Sequence, residues 1–281
     1  MSRILVAGCG FVGLEAAKRL HQLGWEVVGL THSTESAERM KDEPFQIIAC
    51  DINDRERLAS LGSFDAILDA VSSGRGGADA YRRVYLEGAQ SLLEVIRPKQ
   101  FLFTSSTSVY PQADGSIVTE ESAAEPERGT GQLLRATENA VLAAGGLVAR
   151  LAGIYGPGRW ILLEKFLEGR AVIEGDGSKV LNQIHRDDAA AAVVHLLTTD
   201  SQPGIYNVAD NTPMTQLEAY TLFAEYFGHD LPPYGPIDLN RKRGWTSKHV
   251  SNAKMRGLGW NPKYPSMREA LGRTTLREPQ V

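Results

Sequence analysis

Cysteine is nearly absent: Cys9 and Cys50 are the two in 281 residues. That excludes a disulfide framework and a cysteine-bound metal, and no metal is expected. Long apolar runs are missing too, well short of the ~20 residues that a membrane span needs. The apolar start, Ile4 to Ala7, is too short for a signal peptide and has no cleavage-site pattern, so a soluble, cytoplasmic protein is expected. Charge of one sign is scarce: 30 Lys and Arg face 34 Asp and Glu, a net charge of −4. Such a balance leaves no electrostatic footprint for nucleic acid or an anionic membrane. Internal repeats and low-complexity tracts are also lacking. What remains is a chain with 42% apolar residues, enough for a large core.

The most informative stretch is Gly8-Cys9-Gly10-Phe11-Val12-Gly13. Before it lies Arg3 to Ala7, an apolar run suited to one buried parallel strand; after it, Leu14 to Leu20 has helical apolar spacing. A strand, a glycine turn and a helix in that order form a site for a diphosphate, because bare backbone allows close approach and the helix start presents unpaired N–H groups. Gly8 would make the turn, Gly10 would admit the ligand, and Gly13 would let helix and strand pack. Alone, such a string in a chain with 28 glycines says little; its position at the first strand–helix junction of a chain that repeats this alternation says more. Cys9 reads first as a small residue that fits the turn and second as an oxidisable thiol.

The alternation continues. Trp25 to Leu30 is a second strand ending in Thr31-His32-Ser33, with no acid to hold a ribose 2′-hydroxyl, which favours NADP over NAD. Capping of the next helix by Ser33 or Thr34 competes with that reading. Gln46 to Cys50 is a third strand, followed by Asp51-Ile52 and a helix that Asp54 is placed to cap. Phe64 to Ala70 is a fourth, leading through Val71 and Ser72 into a loop reaching Gly77, where the middle of a dinucleotide would pass. Asp79 to Ile96 is a long amphipathic helix whose Tyr81 and Tyr85 read as core residues. Phe101 to Phe103 is a fifth strand, opening into five hydroxyl residues, Thr104 to Ser108, then Val109 and Tyr110. Residues 111–127 read as a surface lid. A helix from Gly131 to Ala144 and a sixth strand, Leu147 to Leu151, complete a doubly wound α/β parallel sheet, the Rossmann fold. Beyond Arg159 the alternation loosens into a small C-terminal α/β lobe. Its expected elements are a helix at Trp160 to Leu167, strands at Val172-Ile173, Val180 to Ile184 and Ile205 to Val208, an alanine-rich helix capped by Asp187-Asp188 and running to Leu197, and a helix at Thr215 to Phe227. The expected division is 1–158 for nucleotide binding and 159–281 for a substrate-side lobe that contributes partly to the sheet.

Taken in order, the glycine turn, Asp51-Ile52, Thr104 to Tyr110, Arg150 to Gly158, Ile184 to Asp188, Tyr206 to Ala209 and Ser247 to Asn252 resemble the extended short-chain dehydrogenase/reductase superfamily. The likeness is to its NAD-dependent epimerase/dehydratase group, and within that to the YeeZ-type bacterial proteins, over nearly the whole chain. It implies that Asp51 and Ile52 flank the adenine, that the Ser72 region with Ala70 and Val71 approaches the pyrophosphate and ribose, and that Ser106 matches the catalytic serine. It also implies that Arg150 to Tyr155 and His185 border the nicotinamide. Two departures stand out. Ala7 replaces the group's first glycine, and the Tyr-x-x-x-Lys pair is missing: aligning Glu138 with the group's acid puts Thr130 at the tyrosine and Leu134 at the lysine. Tyr110, Tyr155 and His185 are the substitute proton donors expected here. Arg135 is one residue from the lost lysine and about 100° around the helix.

These residues are expected to make an atypical NAD(P)-dependent oxidoreductase or epimerase for a small carbonyl, hydroxyl or nucleotide-sugar substrate. The competing reading is a non-catalytic NADP(H)-sensing module that acts through a protein partner. The glycine spacing would also suit a flavin protein, but the missing acid after the second strand speaks against one. Trp160, Tyr234, Arg241, Arg243 and Trp245 are candidates to line the substrate side, and the helices at 79–96 and 131–144 could pair across a homodimer.

Overall fold

The computed structural model describes residues 2–74, 76–239 and 245–273. The apolar runs form one seven-stranded sheet in which every neighbouring pair is parallel. Its strands are β1 (Arg3–Ala7), β2 (Glu26–Thr31), β3 (Gln46–Ala49), β4 (Ala66–Asp69), β5 (Gln100–Ser106), β6 (Leu147–Leu151) and β7 (Gly204–Val208). They lie in the order 7-6-5-4-1-2-3. The central strands are apolar throughout because helices cover both faces of the sheet; Ile4, Leu5, Val6 and Ala7 are all fully buried. The order reverses between β1 and β4, so the connections leave to opposite faces and a crevice opens at the carboxyl ends. This is the doubly wound Rossmann architecture, and its seventh strand comes from the C-terminal half.

Ten helices serve the argument, numbered in chain order. Helix α1 (Gly13–Gln22) buries Gly13, Ala16, Ala17 and Leu20, the three- and four-residue spacing of one helical face. Helix α2 (Thr34–Arg39) is capped by Ser33, and α3 (Arg55–Ser60) by Asp54, whose carboxylate accepts the Arg57 N–H at 3.0 Å. Residues 78–96 form α4, but its middle, Arg82–Glu87, is wound as a π-helix, a rare form that recurs at functional sites. Helix α5 (Gly129–Ala143) packs against α4 within the chain. The rest are α6 (Ile161–Leu167), α7 (Arg186–Thr198), α8 (Gln216–Phe227), α9 (Ala253–Gly257) and α10 (Met267–Leu271).

Two expectations are corrected. Helix α7 is capped not by Asp187-Asp188 but by His185, whose ring Nδ1 accepts the Asp187 N–H at 3.2 Å; the two carboxylates occupy the first turn, where the helix dipole favours them. Residues 111–127 are no free lid. Ile117–Val118 pairs in parallel with His249–Val250, and the Asn207 N–H donates to Glu120 at 2.8 Å, so backbone pairing to the C-terminal segment fastens this loop down.

Two apolar cores result. The larger surrounds the sheet; the smaller gathers Tyr155, Trp160, Phe166, Tyr220, Phe223 and Tyr264 with their neighbours. Through the larger core runs a buried ion pair. Glu138 accepts from Arg150 Nε at 3.0 Å and from its terminal nitrogen at 2.7 Å. Ser105 and Arg135 donate to the same carboxylate, which is fully buried. Such a pair stabilises little over an apolar substitute, yet removing one member strands a buried charge. Glu138→Leu should therefore lower unfolding free energy by about 3–5 kcal/mol, and the double change Glu138→Leu, Arg150→Met should recover most of that loss, read by urea unfolding. Equal losses in the single and double variants would contradict it.

Candidate active site

A cleft of about 1230 Å³ opens along the carboxyl ends of β1, β2, β4 and β5. Three glycines shape the turn at its edge for different reasons, and Gly8 and Gly10 line it. Gly8 has φ +92°, and a Cβ there would sit 2.7 Å from the Ala70 backbone. At Gly13 a Cβ would overlap the Gly8 carbonyl oxygen. Both must be bare for the chain to close. Gly10 differs, because a Cβ there would meet no atom within 4 Å and would project into open space at the cleft. Nothing in the protein forbids a side chain at Gly10, so the fold itself does not ask for bare backbone there. Helix α1 starts at the same place with Val12 as its N-cap and no side-chain cap bond; the Leu14 N–H donates to the Gly10 carbonyl at 3.0 Å, and no side chain caps the N–H groups at this helix start, which suits an outside acceptor. The residues present therefore fit a dinucleotide's diphosphate. Cys9 is inert packing: its thiol is buried against the Val6 carbonyl, and burial pushes its pKa up to about 12.

Phe11 also faces the cleft, and two guanidinium groups from the C-terminal half stand over its ring, Arg159 at 5.3 Å and Arg186 at 5.4 Å. At the end of β2, Thr31 and His32 line the cleft. Ser33 does not; its hydroxyl accepts the Ser36 N–H at 3.2 Å, so the capping reading holds for it. Ser36 and Arg39 take its place at that corner, with Arg39 donating to the Ser36 hydroxyl at 3.0 Å. Sequence reasoning stopped at Ser33 and missed this arginine; the available signal was a basic residue in the helix directly after the acid-free strand end.

Asp51, Ile52, Ala70, Val71 and Ser72 all line the cleft. Asp51 is held by the Asn53 N–H at 2.9 Å and by Arg83. Beneath Ala70, Asp69 is wholly buried with Oδ2 unpartnered among the described residues, and burial pushes its pKa up to about 7. Ser106 lies at the end of β5 in the cleft wall, its hydroxyl accepting the Ser108 N–H at 3.2 Å.

Tyr110, Tyr155 and His185 are not brought to the cleft. Tyr110 is fully buried, donates to Asn207 Oδ1 at 2.9 Å and lies under the Arg150 guanidinium. Tyr155 and His185 are register partners in a short parallel ladder, and both lie within or against the smaller core. The Tyr155 ring is 4.3 Å from Trp160, and His185 is 4.1 Å from Tyr264. Burial lowers the His185 pKa to about 4, so the ring that caps α7 stays neutral. Tyr155 and His185 stand opposite each other in that ladder and turn into the smaller core, and Tyr110 follows the 3₁₀ turn Thr107–Val109 into the main core.

The phenols that do line these cavities, among the described residues, are Tyr85 in the cleft and Tyr81 in a neighbouring cavity of about 370 Å³. Both flank or lie in the π-wound stretch of α4; they are buried as expected of core residues, but they also form cavity wall. Tyr85 accepts the Ser73 N–H at 3.4 Å. Leu134 belongs to the walls of both cavities, and Thr130, Ser108, Trp245 and Thr246 line the smaller one. Arg135 pairs with Glu138. Trp160 is buried in the smaller core and Tyr234 is exposed; Arg241 and Arg243 lie outside the described residues. Among the described residues no His, Cys, Asp and Glu cluster could hold a metal ion, and no helix is long and apolar enough to cross a membrane.

The sequence profile of the NAD dependent epimerase/dehydratase family matches residues 4–209. Protein YeeZ of Escherichia coli K12 is 27% identical to this chain, over 94% of it and 97% of the relative. A 3-diazoavenalumate denitrifying reductase from a Streptomyces species is also 27% identical, over 96% and 99%. Among solved structures, an NAD-dependent epimerase/dehydratase from Methylobacillus flagellatus superposes with a TM-score of 0.79 at 26% identity, covering 97% of each chain. A dTDP-glucose 4,6-dehydratase from Bacillus anthracis in complex with NAD gives 0.81 at 20% identity, over 98% and 95%, a likeness of fold.

The buried Asp69 generates a prediction about stability. Its folded pKa lies above the ordinary carboxylate value, so the folded state holds the proton more tightly than the unfolded chain does. The stability that this supplies is present below about pH 4 and lost as pH rises towards about 7. Asp69→Asn cannot ionise, so its stability relative to wild type should rise between pH 4 and pH 7 by at least about 1.4 kcal/mol, the equivalent of a tenfold change. A pH-independent gap in urea unfolding would contradict the assignment.

Proposed function

The chain belongs to the NAD dependent epimerase/dehydratase family, and from that premise we propose an atypical oxidoreductase that binds NADP(H) in preference to NAD(H) and acts on a small carbonyl or hydroxyl substrate. The observation that carries the reading is Gly10, bare where the fold itself asks for nothing. In this reading the first-turn N–H groups of α1 hold the diphosphate, with Arg159 and Arg186 adding positive charge from the facing rim. Thr31, His32, Ser36 and Arg39 receive the 2′-phosphate, because a guanidinium and hydroxyl donors bind a doubly charged oxyanion where an acid would repel it. The bound nicotinamide supplies hydride chemistry. Ser106 hydrogen-bonds the reacting oxygen of the substrate and steadies the charge that develops on it.

Thr130 and Leu134 cannot do the work of a tyrosine and a lysine, since neither exchanges a proton near neutrality. The proton therefore passes through another group. Tyr85, a phenol in the wall of the same cleft as Ser106, is the residue we assign to hold it. A second reading, a redox-sensing module without turnover, is favoured by Leu134, which puts an apolar side chain where a ribose hydroxyl would seek a donor.

Fluorescence titration tests the cofactor reading. NADPH should bind at least about tenfold tighter than NADH, the worth of one charge-assisted hydrogen bond. Arg39→Ala should remove most of that preference. Thr31→Asp should turn away NADPH and affect NADH less. Gly10→Ala should weaken both nucleotides with no change in the urea unfolding midpoint. Unchanged affinity in Gly10→Ala, or no dinucleotide binding by the wild type, would refute the reading. Cofactor-dependent turnover across a panel of carbonyl substrates separates the enzyme from the sensor.

A further inference from the structure

We propose that a dinucleotide enters the cleft together with a proton, taken up by Asp69 at the end of β4, so that this buried carboxyl group makes cofactor affinity fall as pH rises. This coupling rests on the dinucleotide reading of the cleft and adds a regulator to that same site.

Burial comes first. Asp69 is wholly enclosed, and its Oδ2 has no partner among the described residues. Its Oδ1 accepts the Val71 N–H at a long 3.4 Å. A carboxylate so placed has lost its water without gaining a counter-ion, and desolvation favours the neutral acid. Its pKa accordingly stands at about 7, which divides the free protein between acid and anion at neutral pH.

The surroundings come second. Asp69 stands in register with Ala7 of β1 and Phe103 of β5. At this end of the sheet β1 and its turn bring one titratable group, the Cys9 thiol, which burial keeps protonated. Phe103 presents its ring on the same face as Asp69 and meets Tyr85 of α4 there at 6.2 Å; the Tyr85 hydroxyl is engaged by the Ser73 N–H, and its ring lies against Tyr81. The charged side chains of α4, Asp79, Arg82, Arg83, Glu87 and Glu94, are exposed. On α5, Glu138 is closed on Arg135, Arg150 and Ser105. Among the described residues none of these elements offers Asp69 a compensating charge.

Proximity comes third. Ala70, Val71 and Ser72 line the cleft, as does Thr104, whose hydroxyl donates to the Asp69 carbonyl at 3.2 Å. The Val71 nitrogen that bonds Asp69 belongs to the backbone that a side chain on Gly8 would strike at 2.7 Å. One hydrogen bond and one van der Waals contact therefore separate the carboxylate from the glycine turn. A diphosphate on that turn sets negative charge against an ionised Asp69 across packed protein, where water and salt screen the repulsion poorly. Binding then raises the Asp69 pKa further, and by reciprocity the ionised form binds the nucleotide less tightly. The sign follows: well below pH 7 the acid is protonated with or without nucleotide and adds no pH dependence, and above it the free protein must regain a proton to bind.

The test is calorimetric titration of the full chain with NADPH and with NADH, which lacks the 2′-phosphate, in HEPES and in Tris, whose different ionisation heats count the protons exchanged. Wild type should take up about half a proton or more per nucleotide at about pH 7.5. Its affinity should fall at least about fivefold more than that of Asp69→Asn between about pH 6.5 and 8.5. His32, at the corner assigned to the 2′-phosphate, enters both proteins alike, so the difference between them belongs to Asp69. If Asp69→Asn does not fold, proton uptake by wild type with NADH decides the matter, because no 2′-phosphate then engages His32. No uptake by wild type, or equal uptake in Asp69→Asn, would overturn the coupling and leave the dinucleotide reading standing. Failure of both nucleotides to bind would overturn both.

Discussion

Three backbone segments meet at one point, and the molecule is built around their contact. The Gly8 carbonyl lies where a side chain on Gly13 would be, and Gly8 itself lies where a side chain would strike the Ala70 backbone. Strand β1, the start of α1 and the end of β4 therefore approach as closely as backbone can. That approach sets the crevice between β1 and β4, aims the uncapped end of α1 into it, and brings Ala70 to Ser72 beneath whatever lies there. Gly10 is the one glycine of the three that the fold does not need, and it lines the cleft beside Gly8.

A second constraint holds the substrate side. Glu138 and Arg150 fix α5 to β6 through a pair of hydrogen bonds in the main core, and Ser105 ties β5 to the same carboxylate. With α5 thus oriented, Leu134 forms the partition between the nucleotide cleft and the smaller cavity. The acid that the family resemblance placed at 138 is there to organise three elements, while the two positions that carried proton chemistry in the resemblance hold a threonine and a leucine.

How much of this was legible beforehand follows from what each signal measures. Continuous apolar runs mark strands covered on both faces, so all seven strands of the sheet were visible, and the glycine turn marked the junction between the first strand and helix. Side-chain direction at a strand end is another matter. Tyr155 and His185 stand opposite each other in register and turn together into the smaller core, which depends on pairing between segments thirty residues apart and on no local pattern. Tyr110 follows the 3₁₀ turn Thr107–Val109, which carries it back under the sheet. The π-winding of α4 leaves no mark in composition, so Tyr81 and Tyr85 were assigned to the core without their share in the cavity walls. Arg39 left only the signal of a basic residue in the helix after an acid-free strand end, and Trp245 was expected on the substrate side and lines the smaller cavity; Lys248 reaches its place through tertiary packing alone. Lys248 stood within a recognised landmark, Ser247 to Asn252, but the landmark said nothing of the Tyr110 carbonyl it would bind.

The central claim is that bare backbone at residues 8–13 binds the paired phosphates of a dinucleotide. A crystal structure grown with excess NADP⁺ tests it most directly. The account predicts phosphate oxygens within hydrogen-bond distance of the Phe11 and Val12 N–H groups, with the ligand in van der Waals contact with the Gly10 Cα. An ordered turn with no nucleotide against it, or a nucleotide bound elsewhere on the molecule, would contradict the account.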